Sequence, residues 1–294
     1  MATTRPLKDR LRTLKAEYDR MRKGKESLLT MMDASELSES VFNSNAIENS
    51  TLTLKETEQI LLNLEVSRNV SVREVFEAKN LAALMRYIET KLSNLELSTE
   101  NILLFHTMLM GNIDDSIAGR FRKSGEYVRV GTHIAPAPQH VERMLEEILI
   151  EYSSDHETYF TDNIARFHLD FETIHPFNDG NGRIGRVLIN YQLMKLGFPA
   201  LIIRNKEKQI YYRSFSDYKN SKNPKTMEKI IALALLESLH KRLAYLRGDS
   251  IVTLADFAKS QKQSVHTLSN AARRQTIGAF REAGIWKIGV EQPM

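Results

Sequence analysis

Residues 175–186 read His-Pro-Phe-Asn-Asp-Gly-Asn-Gly-Arg-Ile-Gly-Arg. His175 can take a proton near neutral pH. Asp179 offers a hard oxygen ligand suited to Mg²⁺. Gly180 and Gly182 let the main chain approach a ligand closely and turn its N–H groups toward an anion. Arg183 and Arg186 are three residues apart and share a face if the segment is helical. A base, a metal ligand, anion donors and two guanidinium groups in one short string are equipment for moving part of a nucleotide.

Two other chemistries compete for these residues. Gly180-x-Gly182-x-x-Gly185 has the outline of a dinucleotide fingerprint, which needs a preceding strand and an acid about 20 residues later. The preceding segment has helical period instead, and Arg204-Asn205 stand where the acid would be. A metal hydrolase could draw on His168, Asp170, His175 and Asp179. His168 and His175 are seven apart, close to two helical turns, but Phe-His-Leu-Asp-Phe fits a packed helix with His168 as a satisfied polar partner. No Gly-x-x-x-x-Gly-Lys-Ser/Thr loop occurs.

The elements that must position this string are mostly helices. The chain of 294 residues carries 41 basic and 37 acidic side chains, a mild net charge of +4 that permits an anionic ligand without demanding nucleic acid. Cysteine is absent, which removes disulfides and Cys-ligated zinc. Met1 to Arg12 is charged and has no apolar h-region, and Ile230 to Leu236 is too short to span a bilayer. The expectation is a cytoplasmic protein with no membrane partner. Residues 7–32 read as a charged amphipathic helix, and 33–48 continue with Leu37, Val41 and Ser44 at helical spacing. Thr53 could cap a helix with Glu56 as its capping-box partner. Helical pattern recurs over 71–92, 99–110, 139–153 and 158–174, where Ile164, Phe167, Phe171 and Ile174 form one stripe. Tyr127-Val128-Arg129-Val130 alternates, and 119–138 reads as a short hairpin or flap ended by Ala135-Pro136-Ala137-Pro138. A helix should start near Gly182, with Ile184, Val187, Leu188 and Tyr191 inward, and two more fit 208–220 and 224–246. Arg247-Gly248-Asp249-Ser250 reads as a linker to a small unit. The division expected is an N-terminal helix over 1–32, a catalytic domain over 33–246, and a C-terminal unit over 247–294.

The string at 175–186 resembles the signature of the Fic (Fic/Doc) family, His-x-Phe-x-Asp/Glu-Gly-Asn-Gly-Arg-x-x-Arg. His175, Phe177, Asp179, Gly180, Asn181, Gly182, Arg183 and Arg186 match every fixed position. The resemblance implies a mainly α fold, a helical core over about 33–220 with a short β-hairpin flap. It implies a protein adenylyltransferase that moves AMP from ATP to a Ser, Thr or Tyr hydroxyl of a target protein. His175 would be the base and Asp179 would hold Mg²⁺. Gly180, Asn181, Gly182, Arg183 and Arg186 would bind the phosphates, and Phe177 would anchor the loop in the core.

Ser44-Asn45-Ala46-Ile47-Glu48-Asn49 is similar to the inhibitory motif of the same family, Ser/Thr-x-x-x-Glu-Gly/Asn. The resemblance implies an N-terminal inhibitory helix over about 33–49, in which Glu48 pairs with Arg186 and blocks the γ-phosphate, flanked by Ser44 and Asn49. Val128 and Val130 resemble the flap that docks the target strand. Tyr211 and Tyr212 resemble the aromatic pair bordering the nucleotide base. Residues 251–294 resemble a winged helix-turn-helix, with Arg273, Arg274 and Arg281 giving a mildly basic face suited to DNA or target docking. Self-modification and a homodimer stay open. The alternatives are a Fic-fold regulatory or DNA-binding module without transferase activity, and a Fic enzyme that transfers another phosphate-containing group.

Overall fold

The computed structural model describes residues 3–64, 66, 68–130 and 133–291. In chain order it contains α1 (Arg5–Met21), α2 (Glu26–Ile47), α3 (Leu54–Leu61), α4 (Val72–Lys91), α5 (Thr99–Met110), β1 (Arg129–Val130), β2 (His133–Ile134), α6 (Val141–Ser154), α7 (Phe160–Ile174), α8 (Asn181–Lys195), α9 (Lys208–Ser221) and α10 (Lys225–Arg247). The C-terminal unit follows with β3 (Ser250–Thr253), α11 (Leu254–Ser260), α12 (Val265–Arg273), β4 (Ala279–Glu282) and β5 (Ile285–Val290). Among the described residues no helix is long and apolar enough to cross a membrane.

Two apolar clusters flank the α7–α8 pair. Phe167, Phe171, Ile184, Val187, Leu188 and Tyr191 pack with Leu81, Leu84 and Ile88 of α4 and Phe105 and Leu109 of α5. On the other side Ile164, Ala165, Leu169, Ile189 and Leu193 pack with Leu11 of α1 and Leu235, Leu239 and Leu243 of α10. The expected single stripe on α7 is therefore two faces, with Ile164 turned away from Phe167 and Phe171. A helix apolar on both sides belongs between layers rather than on a surface. The string at 175–186 lies where this buried pair turns around.

Local signals set several boundaries. Thr53 caps α3 as expected: its side chain accepts the Glu56 N–H, and the Glu56 carboxylate accepts the Thr53 N–H at 2.7 Å. The expected helix over 7–32 is corrected. The chain breaks after Met21, with Gly24 at φ +72°, and α2 then runs unbroken from Glu26 to Ile47, with Glu48 as its C-cap. A left-handed glycine in a charged run ends a helix at little steric cost. The expected four-residue linker is shorter as well, because α10 continues to Arg247 and β3 starts at Ser250.

The C-terminal unit has the order strand, helix, helix, strand, strand. Its antiparallel sheet runs β3-β5-β4, with Ser250 opposite Val290 and Ala279 opposite Ile288. Leu254, Ala258, Leu268, Ala272, Ala279 and Ile288 make its small core. In the flap, β1 and β2 pair Arg129 with Ile134 and Val130 with His133. Gly131 and Thr132 lie outside the described residues.

Candidate active site

His175 ends α7. Its N–H still donates to Phe171 O at 2.9 Å, but its backbone is left-handed, φ 51° and ψ 64°. A non-glycine residue holds this conformation only where its surroundings fix it. Arg122 supplies much of that fixing. It is buried, and its guanidinium donates to the carbonyls of His175 (2.8 Å), Pro136 (2.9 Å), Glu126 (3.1 Å) and Ile174 (3.2 Å). These include orphan carbonyls at the end of α7. On the imidazole, Nδ1 is 3.3 Å from Glu172 O and 3.6 Å from the Glu172 carboxylate. That side favours a proton on Nδ1, leaving Nε2 with the lone pair.

The loop after His175 is clamped from inside. Phe177 is fully buried, stacked on His106 with ring centroids 3.7 Å apart and planes 5° from parallel. His106 Nδ1 accepts the Gly119 N–H at 3.0 Å, so its Nε2 carries the proton and donates to Asp179 O at 3.1 Å. Burial pushes the His106 pKa down to about 4, in keeping with this neutral ring. Asn181 Oδ1 accepts the Phe177 N–H at 2.9 Å, and its Nδ2 donates to Phe177 O at 2.8 Å. Both ends of its buried amide clasp the loop's own backbone.

α8 opens with Gly180 at φ +80°, so the N–H groups of Asn181, Gly182 and Arg183 head the helix, where anions are favoured. The acid there is Glu48. A side chain at position 182 would come within 2.2 Å of Glu48 Oε1, so glycine at 182 is what lets that carboxylate lie against the first turn of α8. Gly185 likewise leaves room for Glu172 and His168 behind it.

The two arginines of the string differ in their partners. Arg186 is buried and fully engaged. Nε donates to Ser44 Oγ (3.0 Å) and one terminal nitrogen to Ser44 O (2.9 Å), and that nitrogen forms an ion pair with Glu48 Oε1 at 2.9 Å. The other terminal nitrogen donates to Tyr211 Oη at 3.3 Å. Arg183 is also buried, but it pairs with Glu77 of α4 and with Asp179, each at 3.2 Å. Reaching outward to a phosphate would break both pairs. Asp179 is partly exposed and is also paired with Arg73. Burial would raise its carboxyl pKa, but Arg183, the Gly180 N–H and Arg73 together hold it below the usual value.

At the end of the 44–49 segment, Asn49 sits at φ +67° just after Glu48, the position where a helix end favours Gly or Asn. The two tyrosines expected beside the base differ in placement. Tyr211 is buried, and its hydroxyl joins Arg186 to His168 Nε2 (2.9 Å). Tyr212 remains partly exposed, and its hydroxyl donates to Ile47 O at the end of α2 (2.7 Å). The metal-hydrolase set is dispersed: His168 is bonded to Tyr211 and Asp170 to Tyr218 Oη at 2.8 Å. Among the described residues no cluster of three or more His, Asp or Glu could hold a metal by itself. Arg122 lies in the 119–138 stretch read as a flap, whereas His106 and Arg73 join the site without a local sequence signal, because their partners lie far along the chain.

Residues 96–193 match the family model described as Fic/DOC family. The chain is 29% identical over 252 residues to a protein named protein adenylyltransferase Fic from Drosophila erecta, covering 83% of this chain and 50% of that protein. It is 34% identical over 180 residues to protein adenylyltransferase fic-1 from Caenorhabditis elegans, covering 59% of this chain and 35% of that protein. The chain thus spans half or less of the length of these curated relatives. Among solved structures, Fic-1 from C. elegans superposes with TM-score 0.69 at 27% identity, covering 82% of this chain and 73% of that one. A Fic family protein from Desulfovibrio desulfuricans superposes with TM-score 0.64 over 97% of both chains at 19% identity, a likeness of fold that extends through the C-terminal unit. The mainly helical core with a small sheet is a Fic-type fold.

Proposed function

We propose that this Fic/DOC-domain chain is a protein adenylyltransferase, held off in the described conformation by its own α2 helix. The observation that carries the reading is the Glu48–Arg186 contact at 2.9 Å, made over the glycine that opens α8. An acid side chain rests where a nucleotide phosphate would be drawn.

In the transfer, a target hydroxyl attacks the α-phosphorus of ATP. A bond forms from that oxygen to phosphorus, the bond to the β-phosphate oxygen breaks, and pyrophosphate leaves. His175 Nε2 takes the hydroxyl proton. A base so positioned raises the rate by about 10²–10⁴. The N–H groups heading α8 stabilise charge on the phosphate oxygens. With Glu48 withdrawn, Arg186 becomes the cation for the terminal phosphate. A single carboxylate, Asp179, suits Mg²⁺, which usually takes one or two carboxylates together with substrate phosphates. Its pairing with half-exposed Arg73 is of the kind that opens at small cost. When bound, that ion would neutralise phosphate charge. Val128 and Val130 would register an extended target segment against the flap, and Tyr212 is the tyrosine left to border the base.

The test is incubation of the full chain with α-labelled ATP and Mg²⁺, followed by mass spectrometry of modified protein, the chain itself included. Glu48→Gly should raise AMP incorporation by on the order of tenfold, since losing about 1.4 kcal/mol of blocking contact is a factor of ten. His175→Ala should abolish it in either background. Equal incorporation by wild type and Glu48→Gly, both clearly active, would refute the block. A transferred group other than AMP would redirect the chemistry.

A second reading concerns the C-terminal unit. α12 leaves His266, Arg273 and Arg274 exposed, and the order of its elements suits a winged helix on DNA. A gel-shift assay of the full chain at low salt, where non-specific binding is strongest, would reject DNA contact if no retardation appears.

A further inference from the structure

α2 connects the C-terminal unit to Arg186. Its first half is tied by charge to α10. Buried Arg242 pairs with Asp33 and Glu36, while Lys241 pairs with Glu36 at 2.9 Å and with Glu282 of β4 at 3.1 Å. Tyr245 Oη donates to Glu282 at 2.7 Å. The central tie is Glu39, which is buried. Its Oε1 accepts from Arg204 and from the Gly284 N–H at 3.1 Å, and its Oε2 accepts the Ala283 N–H at 3.2 Å. Ala283 and Gly284 form the turn between β4 and β5, with φ of +48° and +77°. One helical turn later Asn43 Oδ1 accepts the Asn205 N–H at 3.0 Å. Ser44, Ile47 and Glu48 then meet Arg186 and Tyr212.

Positions 36, 39 and 43 therefore face the C-terminal hairpin and its supports, and 44, 47 and 48 face the active site. A buried carboxylate stripped of its partners costs several kcal/mol. Glu39 is thus stable only where Arg204 and both turn N–H groups converge on it, and this fixes α2 along its axis. From Glu39 to Glu48 the helix covers about 14 Å at its usual rise, short enough to transmit a shift as one piece.

We infer that the β4–β5 turn is a latch on the inhibitory helix, and that Glu39 is the positioning residue through which it holds Glu48 on Arg186. The inference rests on the reading that Glu48 blocks transfer. Loosening the turn is then the route by which the C-terminal unit raises activity from outside the catalytic domain.

The test measures initial AMP incorporation from α-labelled ATP by the full chain. Glu39→Gln and Glu282→Ala are each made with Glu48 intact and with Glu48→Gly. Either latch variant should raise incorporation about fivefold or more with Glu48 intact, the usual scale of coupling between sites, and add nothing once Glu48 is gone. A residue with only a structural role would lower incorporation in both backgrounds. If Glu48→Gly raises transfer and the latch variants do not, the latch is wrong and the block stands. If Glu48→Gly itself changes nothing, the block is wrong and takes the latch with it. Hydrogen exchange gives a readout free of activity: amides 40–48 should exchange faster in the latch variants while those of α7 do not change. Unchanged exchange in a folded variant overturns the inference. Glu282→Ala keeps Glu39 and its partners, so it carries the test if Glu39→Gln does not fold.

Discussion

The loop from His175 to Gly182 and the proposed blocking contact over it are built on opposite terms. In the loop, Phe177 is fully buried, Asn181 spends both amide ends on Phe177, and Arg122 ties the carbonyls that end α7. The block ends in one carboxylate whose side chain is 37% exposed, at the last turn of α2. Rigidity is concentrated where reacting atoms must be held, since small misplacements there are costly. The Glu48–Arg186 contact, which on the proposed reading must break to permit reaction, lies at a half-exposed helix end, where local opening is cheapest.

Removing the loop's anchor should give the largest effect. Phe177→Ala takes a fully buried ring from between His106, Phe121 and Phe171 and should cost about 3–5 kcal/mol of stability, measured by denaturant unfolding, with transfer lost even in the Glu48→Gly background. Retained transfer there would mean the loop is less rigid than its packing implies. Tyr211→Phe should come next. It leaves Arg186 and His168 short of one buried partner, for a loss of about 1–3 kcal/mol, read by the same unfolding. Ser44→Ala should be milder, because Arg186 keeps Ser44 O and Glu48. Incorporation should rise by roughly a factor of two to five, for about 0.5–1 kcal/mol of lost hydrogen bond. A rise equal to that of Glu48→Gly would move the weight of the block onto Ser44.

The loop's support should also show in a pH dependence. His106 is held neutral, its folded pKa about 4 against 6.5 for a free imidazole. A base whose pKa is depressed by folding gives its full stability above pH 6.5 and loses it as pH falls through 4. Thermal midpoints should therefore drop between those limits. His106→Gln, less stable at pH 7, should show a shallower drop. An unchanged slope would remove His106 from the loop's support.

Contiguity decided what could be read from sequence. The string at 175–186 and the segment 44–49 each carry their meaning within a few residues, and the Glu48–Arg186 pair followed from resemblance alone. His106 and Arg73 act on a backbone carbonyl and a carboxylate 73 and 106 positions away, and nothing beside them in the chain marks it. Tyr211 and Tyr212 look alike in sequence. Helix phase turns one into the core and the other toward the end of α2. The β-branched Ile251, Val252 and Thr253 did carry a strand signal next to the expected linker, and their partner β5 lies more than thirty residues on. The break near Gly24 hides in a run of lysine and arginine, where no apolar period shows a helix stopping.

Gly182 has a consequence for how this protein could be turned permanently on. The same absence of a side chain admits the Glu48 carboxylate and leaves the helix start open to a phosphate. A larger residue at 182 would evict the Glu48 carboxylate and, on the proposed reading, the substrate with it. Spontaneous gain-of-function variants should therefore map to α2, its ties to Arg204 and the far hairpin, and be missing from the glycine loop. A selection for toxicity caused by runaway modification would draw that map directly.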